Sequence, residues 1–240
     1  MIPAYENRRG VKSTALIKGL LLNIVPIVRV RELSSTVRIK ESWLIYPVAF
    51  ICGAIVMSLE ILGSRLLVKN YGGSVLVWGS LISVFLAGLS TGYYFGGKSA
   101  DSCPSTRKLG FIVLVAGLIL MMLPLYHSSL SDWIFSLNLG ERAGALLDAT
   151  FSFFVPSMLL GAVSPFCARI MMRSLASSGR TIGTLYALAT AGSIAGTLLT
   201  SFYLISSAGI KMLLMYHGVL LVLVSLPFFC LKPYTGQPSA

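Results

Sequence analysis

Charge is what this sequence has least of. Only 11% of the 240 residues are Asp, Glu, Lys or Arg, about half the share of an ordinary soluble domain. Too few charges remain to clothe a water-exposed surface, so a soluble globular chain is excluded. Histidine occurs twice, and the four cysteines, Cys52, Cys103, Cys167 and Cys230, form no CxxC pair. Neither a disulfide framework nor a metal site is expected from that pattern, and no cofactor is expected. Acidic residues are scarcer still, 8 against 19 basic ones, for a formal net charge of +11. A nucleic-acid binder would interleave such bases with aromatics in a recognisable module. None is present, and no nucleic-acid partner is expected.

What the sequence has instead is 55% hydrophobic residues and a mean hydropathy of +0.83. Apolar runs recur at the length of roughly 20 residues needed to cross about 30 Å of hydrocarbon. Six spans are predicted, at 44–67, 74–96, 109–126, 143–168, 181–206 and 210–231. Strands cannot satisfy their backbone polar groups alone in lipid, so each span is a helix. The expected fold is an all-α polytopic membrane protein with the bilayer as its first partner. Residues 43–232 form this domain, and 233–240 a short tail.

Residues 1–42 differ. They carry eight Lys or Arg around the short apolar core "LLLNIVPIV", interrupted by Asn23 and Pro26. That core is too short to span, and no small-residue cleavage site follows it. The segment reads either as an interfacial helix on anionic headgroups or as a basic tail without fixed structure.

Lys and Arg placement sets the orientation. Fifteen of the 19 fall on one side of a six-span topology, leaving Arg65, Lys69, Arg142 and Lys211 on the other. Both termini are therefore expected in the cytoplasm. The outer segment "SSLSDWIFSLNLGER" reads as a loop or a short interfacial helix with Trp133 at headgroup level.

Within the spans, Gly88, Gly92 and Gly96 repeat every four residues, and Gly192 and Gly196 do the same. Such spacing lets helix backbones approach closely, as a static seam or as a sliding surface. Pro156 and Pro165 in the fourth span each remove an intrahelical hydrogen bond, which predicts a kink or an unwound turn.

Two carboxylates lie inside spans. Entering from Leu44, Glu60 is about 24 Å deep at 1.5 Å per residue, and Arg65 reaches the outer headgroups. About 140° of helix rotation separates them, so they are not an i,i+4 pair. Asp148 lies at a comparable depth in span four. An intramembrane carboxylate is costly and faces a cavity or a partner. Glu60, Asp148 and Arg65 are therefore candidate substrate-binding residues for a cationic small molecule, the alternative being two satisfied structural carboxyls.

The turn "GGKSADSCPSTRKLG" resembles the loop signature of major-facilitator transporters, in which a glycine lets two helices approach and an Asp and an Arg pair with neighbouring helix ends. Gly97, Asp101, Arg107 and Lys108 would take those places. More widely, "LEILGSRLLVKNYGGSVLVWGS", "VFLAGLSTGYYFGGKSAD", "GAVSPF" and "GRTIGTLYALATAGSIAGTLLTSFYLI" resemble the membrane domain of spermidine synthase-like bacterial membrane proteins. In that family a facilitator-like helical domain precedes an aminopropyltransferase-like domain. The resemblance implies a facilitator-like half bundle in a bacterial inner membrane and a polyamine-related system. The nucleoside-binding sheet it would bring has no counterpart up to Ala240, so no catalytic residue is assigned and this chain alone is not expected to be the transferase. The leading expectation is a membrane component that docks a separate soluble spermidine synthase-like or methyltransferase-fold enzyme. The alternatives are a transporter half that dimerises, or a structural or assembly subunit of a larger membrane complex.

Overall fold

A computed structural model describes residues 44–172 and 178–230. The N-terminal extension, Arg173 and the C-terminal tail lie outside those residues. Six helices are long and apolar enough to cross a bilayer: α1 (Leu44–Tyr71), α2 (Val75–Ser102), α3 (Thr106–Ser136), α4 (Gly140–Met171), α5 (Ser178–Ser207) and α6 (Ile210–Cys230). The chain is an all-α, multi-pass membrane protein. Large apolar side chains such as Leu86, Phe111, Leu125, Phe151, Phe202 and Leu223 face outward. In water such a surface would aggregate; against acyl chains it is the expected covering.

The helices outrun the predicted spans. α3 and α4, of 31 and 32 residues, are about 46–48 Å long, well beyond about 30 Å of hydrocarbon. The segment from Ser128 to Ser136, expected to be a loop or a separate interfacial helix, is instead the last two turns of α3. Its polar residues follow helical spacing, so the helix continues where the hydropathy falls. Asn138 (φ 49°) and Gly140 (φ 74°) then turn the chain into α4. At the end of α1, Gly72 takes φ 76° and its N–H bonds the Val68 carbonyl at 3.0 Å, the left-handed stop that glycine adopts without steric cost.

Three glycine-lined seams hold the bundle. A Cβ on Gly88 or Gly92 would fall on Ser157 or on the Met158 carbonyl of α4, and one on Gly96 would lie 2.7 Å from the Ala162 Cα. From the α4 side, a Cβ on Gly161 would lie 2.8 Å from the Leu89 carbonyl. A Cβ on Gly192 or Gly196 of α5 would fall on the Phe50 or Ala54 carbonyl of α1, and one on Gly117 of α3 would lie 2.8 Å from the Gly218 carbonyl of α6. The Gly88, Gly92 and Gly96 face is thus filled by α4 and is not open to a second copy, which corrects dimerisation across it.

α4 passes through Pro156 and Pro165 as one uninterrupted helix, so the unwound turn expected there is absent. Among the described residues the irregular turn is in α5, where Thr200–Leu204 widens into a π-helix. α5 is also the least enclosed span, with 17% of its apolar window buried against 56% for α4.

The seam at Gly92 generates a direct test. Gly92→Ala forces backbone against backbone and should destabilise the bundle by about 1–3 kcal/mol, the usual cost of overpacking. Gly79 has nothing within 4 Å of a built Cβ, so Gly79→Ala should be neutral or stabilising by about 0.5–1 kcal/mol. Equilibrium unfolding in detergent, followed by helical circular dichroism, compares the two. Equal effects would refute the seam.

Candidate functional site

Asp148 is the one carboxylate among the described residues with no exposed surface. It lies two turns into α4, and Ser131 of α3 and Ser152 one turn along α4 both donate hydrogen bonds to it, the latter at 3.2 Å. Helical geometry explains the placement: residues four apart share a face, and α3 is long enough to bring Ser131 alongside. The network continues outward. Asn70 Nδ2 donates to Ser131 Oγ at 3.0 Å and to Asp132 Oδ1 at 3.0 Å, and Lys69 Nζ pairs with Asp132 at 2.9 Å. A continuous polar path therefore runs from exposed Lys69 and Asp132 down to buried Asp148.

Over this path opens a cavity of about 340 Å³, lined by Asn70, Tyr71, Phe135, Asn138, Glu141 and Gly144 among others. Tyr71 is 7% exposed and its hydroxyl has no hydrogen-bond partner. Its ring packs edge-on to Phe135 at 5.8 Å and against Gly144, one turn before Asp148, where a Cβ would lie 2.6 Å from the ring. Glu141 at the mouth accepts a hydrogen bond from Ser74. Nothing basic lines the cavity. It offers aromatic faces, amide oxygens and one carboxylate, with a second carboxylate beneath, a chemistry suited to a cation. His127 is buried nearby, its ring 6.3 Å from that of Phe153 and its Nε2 without a partner.

The predicted site residues are not all gathered here. No hydrogen bond or ion pair links Glu60, Arg65 and Asp148. Glu60 is half-buried with no polar partner among the described residues, and Arg65 is exposed. The two carboxylates therefore do not form one site. Glu60 is instead one turn along α1 from Val56 and Met57. Those two line a cleft of about 200 Å³ between α1, α2, α4 and α5, with Tyr93, Tyr186 and Ser193 on its other walls.

At the opposite end, Arg169 Nε of α4 approaches Asp101 Oδ1 of α2 at 3.2 Å, an ionic contact whose N–H is not aligned for a hydrogen bond. Gly96, rather than Gly97, makes the close helix approach; a Cβ on Gly97 would meet Pro165 at an ordinary 3.8 Å. Asp101 thus meets the end of a neighbouring helix, as the loop signature expects of its Asp, while Arg107 and Lys108 pair with no carboxylate among the described residues.

Sequence reading missed Asn70, Ser131 and Ser152. The signal was available in the spacing of His127 with Ser131 and of Asp148 with Ser152. Ending the third span at 126 hid the first pair. It also missed a second buried set, in which Thr200 donates to Ser58 Oγ at 2.7 Å and Ser58 Oγ lies 2.9 Å from His217 Nε2. This set joins α1, α5 and α6 at the π-turn. Comparison with protein-family models, with curated proteins and with solved structures finds no match to this chain.

Replacing Asp148 should cost stability according to what the two serines retain. Asp148→Leu leaves two buried hydroxyls without their acceptor and should lower stability by about 2–6 kcal/mol, at about 1–3 kcal/mol per orphaned group. Asp148→Asn keeps an acceptor oxygen and should cost about 1 kcal/mol or less. Thermal unfolding in one detergent ranks the pair, and the reverse order would refute the network.

Proposed function

We propose that this membrane protein is the membrane-embedded component of a spermidine synthase-like system and recognises a cationic small molecule of the polyamine class at its outer end. The observation that carries the reading is Asp148: a fully buried carboxylate with no cationic partner among the described residues, beneath a cavity whose wall holds Asn70, Tyr71 and Glu141. A carboxylate kept away from water in a bundle is costly unless something compensates it, and a bound ammonium group is such a compensation. The sequence resemblance supplies the polyamine class and the soluble enzyme. That partner would dock on the opposite, basic end, where Lys98 and Arg180 are exposed.

A transporter half is the second reading. The cleft between α1, α2, α4 and α5 favours it, because a path between helices is where a substrate would move and Glu60 lies one turn from its wall. Uptake of polyamine into proteoliposomes, with Glu60→Gln as the comparison, separates it from the first. No uptake would eliminate it.

Spermidine titrated into the protein in lipid nanodiscs tests the leading reading. Calorimetry should show binding, and Asp148→Asn should weaken it about tenfold or more, as the loss of a charge-assisted contact of about 1.5–3 kcal/mol requires. Absent binding, or an affinity unmoved by the substitution, overturns it.

A further inference from the structure

We infer that the groove at the basic end of α3 holds one anionic phospholipid. The groove, of about 430 Å³, is walled by Phe111 and Ile112 of α3, Phe166 of α4 and Phe229 of α6, with Arg107 and Lys108 at its rim. Its two parts match the two parts of a lipid. The walls are apolar and open toward the bilayer, Phe111 being 59% exposed, which accommodates an acyl chain. The rim presents two cations that no carboxylate neutralises among the described residues, which suits a phosphate headgroup.

The start of α3 adds to that field. Its N-cap Ser105 makes no side-chain cap bond, and no acidic residue occupies the first turn, so the leading backbone N–H groups and the positive end of the helix dipole stay uncompensated. Thr106, the first helical residue, is 1% exposed and its hydroxyl has no partner. A free phosphate would use the cations but leave the aromatic walls unoccupied. A zwitterionic lipid would bring a cationic group toward Arg107 and Lys108. The anionic lipid alone satisfies both halves. This site is at the other end of the bundle from Asp148 and stands whether or not a cation binds there.

Native mass spectrometry of the detergent-solubilised protein, titrated with phosphatidylglycerol or phosphatidylcholine of the same acyl chains, tests it. Wild type should retain phosphatidylglycerol in preference. Arg107→Gln with Lys108→Gln should reduce that preference about thirtyfold, the factor that about 1 kcal/mol for each of two basic residues gives. Ile112→Trp, which fills the groove, should reduce retention of both lipids. Phe111→Ser, at an exposed position, should do the same if the tryptophan variant does not fold. Arg142→Gln, at the other end, should change nothing. Equal retention of the two lipids by wild type would overturn the inference. So would a preference unmoved by the double substitution, displacement of the lipid by millimolar inorganic phosphate, or a groove variant that alters oligomeric mass instead of lipid retention.

Discussion

Backbone pressed against backbone is the constraint on which this bundle depends. Lipid gives helices no hydrophobic reason to associate, so the association has to come from close contact. Glycines provide it along three seams, α2 on α4, α1 on α5 and α3 on α6. Each seam tolerates no Cβ, so each fixes the rotation of its two helices as well as their distance. Once those rotations are fixed, the polar residues of each helix have little freedom in where they point. Asp148, on α4, is held toward α3 because the other side of that helix is taken by Gly88, Gly92 and Gly96 of α2.

That division explains why buried polarity collects where it does. The Asp148 network joins α3, α4 and the end of α1, and the Ser58–Thr200–His217 set joins α1, α5 and α6. The first set lies outside the glycine seams; in the second, Ser58 and Thr200 continue the α1–α5 seam one turn beyond Ala54 and Gly196. Both occupy junctions of three helices, where the close pairs leave space that side chains must fill. In hydrocarbon a polar group there has to find a partner on a neighbouring helix, so the first network ties together helices that the seams leave unpaired, and the second adds α6 to the α1–α5 pair. At the α5 junction the backbone itself adjusts, widening at Thr200–Leu204 into a π-turn. Such turns are rare and costly enough to need a local cause, and the Thr200 hydroxyl bonded across to Ser58 is the contact present there.

The sequence made the number of spans and the glycine faces readable because hydropathy and four-residue spacing are local properties. Gly88, Gly92 and Gly96 announce a seam without revealing which helix fills it; α4 had to be seen. Helix ends were less legible. Hydropathy falls after Tyr126 although helical geometry does not, so the Ser128–Ser136 extension looked like a loop. The candidate site suffered most from that error. Glu60 and Asp148 seemed comparable because depth was computed for each helix alone, whereas grouping depends on the rotation set by the seams. The prolines did not unwind α4, for a related reason. Pro156 and Pro165 lie in the best enclosed span, where neighbours constrain the backbone, and the irregular turn appears in α5, the span with the least packing around it.

The two ends of the molecule differ in what their charges are doing. At one end Lys69 pairs with Asp132, Ser74 bonds Glu141, and the carboxylates outnumber the cations that touch them. At the other, the Asp101–Arg169 contact closes the α2–α4 seam just beyond Gly96, leaving Arg107 and Lys108 with no acid among the described residues to neutralise them. One ion pair therefore removes the nearby carboxylate from competition. Arg107 and Lys108 follow Pro104 and Ser105 by only a few residues, so the short turn after α2 holds them at the bundle edge rather than over Asp101. A structural ion pair in the seam and unpaired cations at the rim are thus two results of the same tight connection. Because an exposed pair of this kind contributes at most about 1 kcal/mol, its main consequence is the distribution of charge it leaves behind.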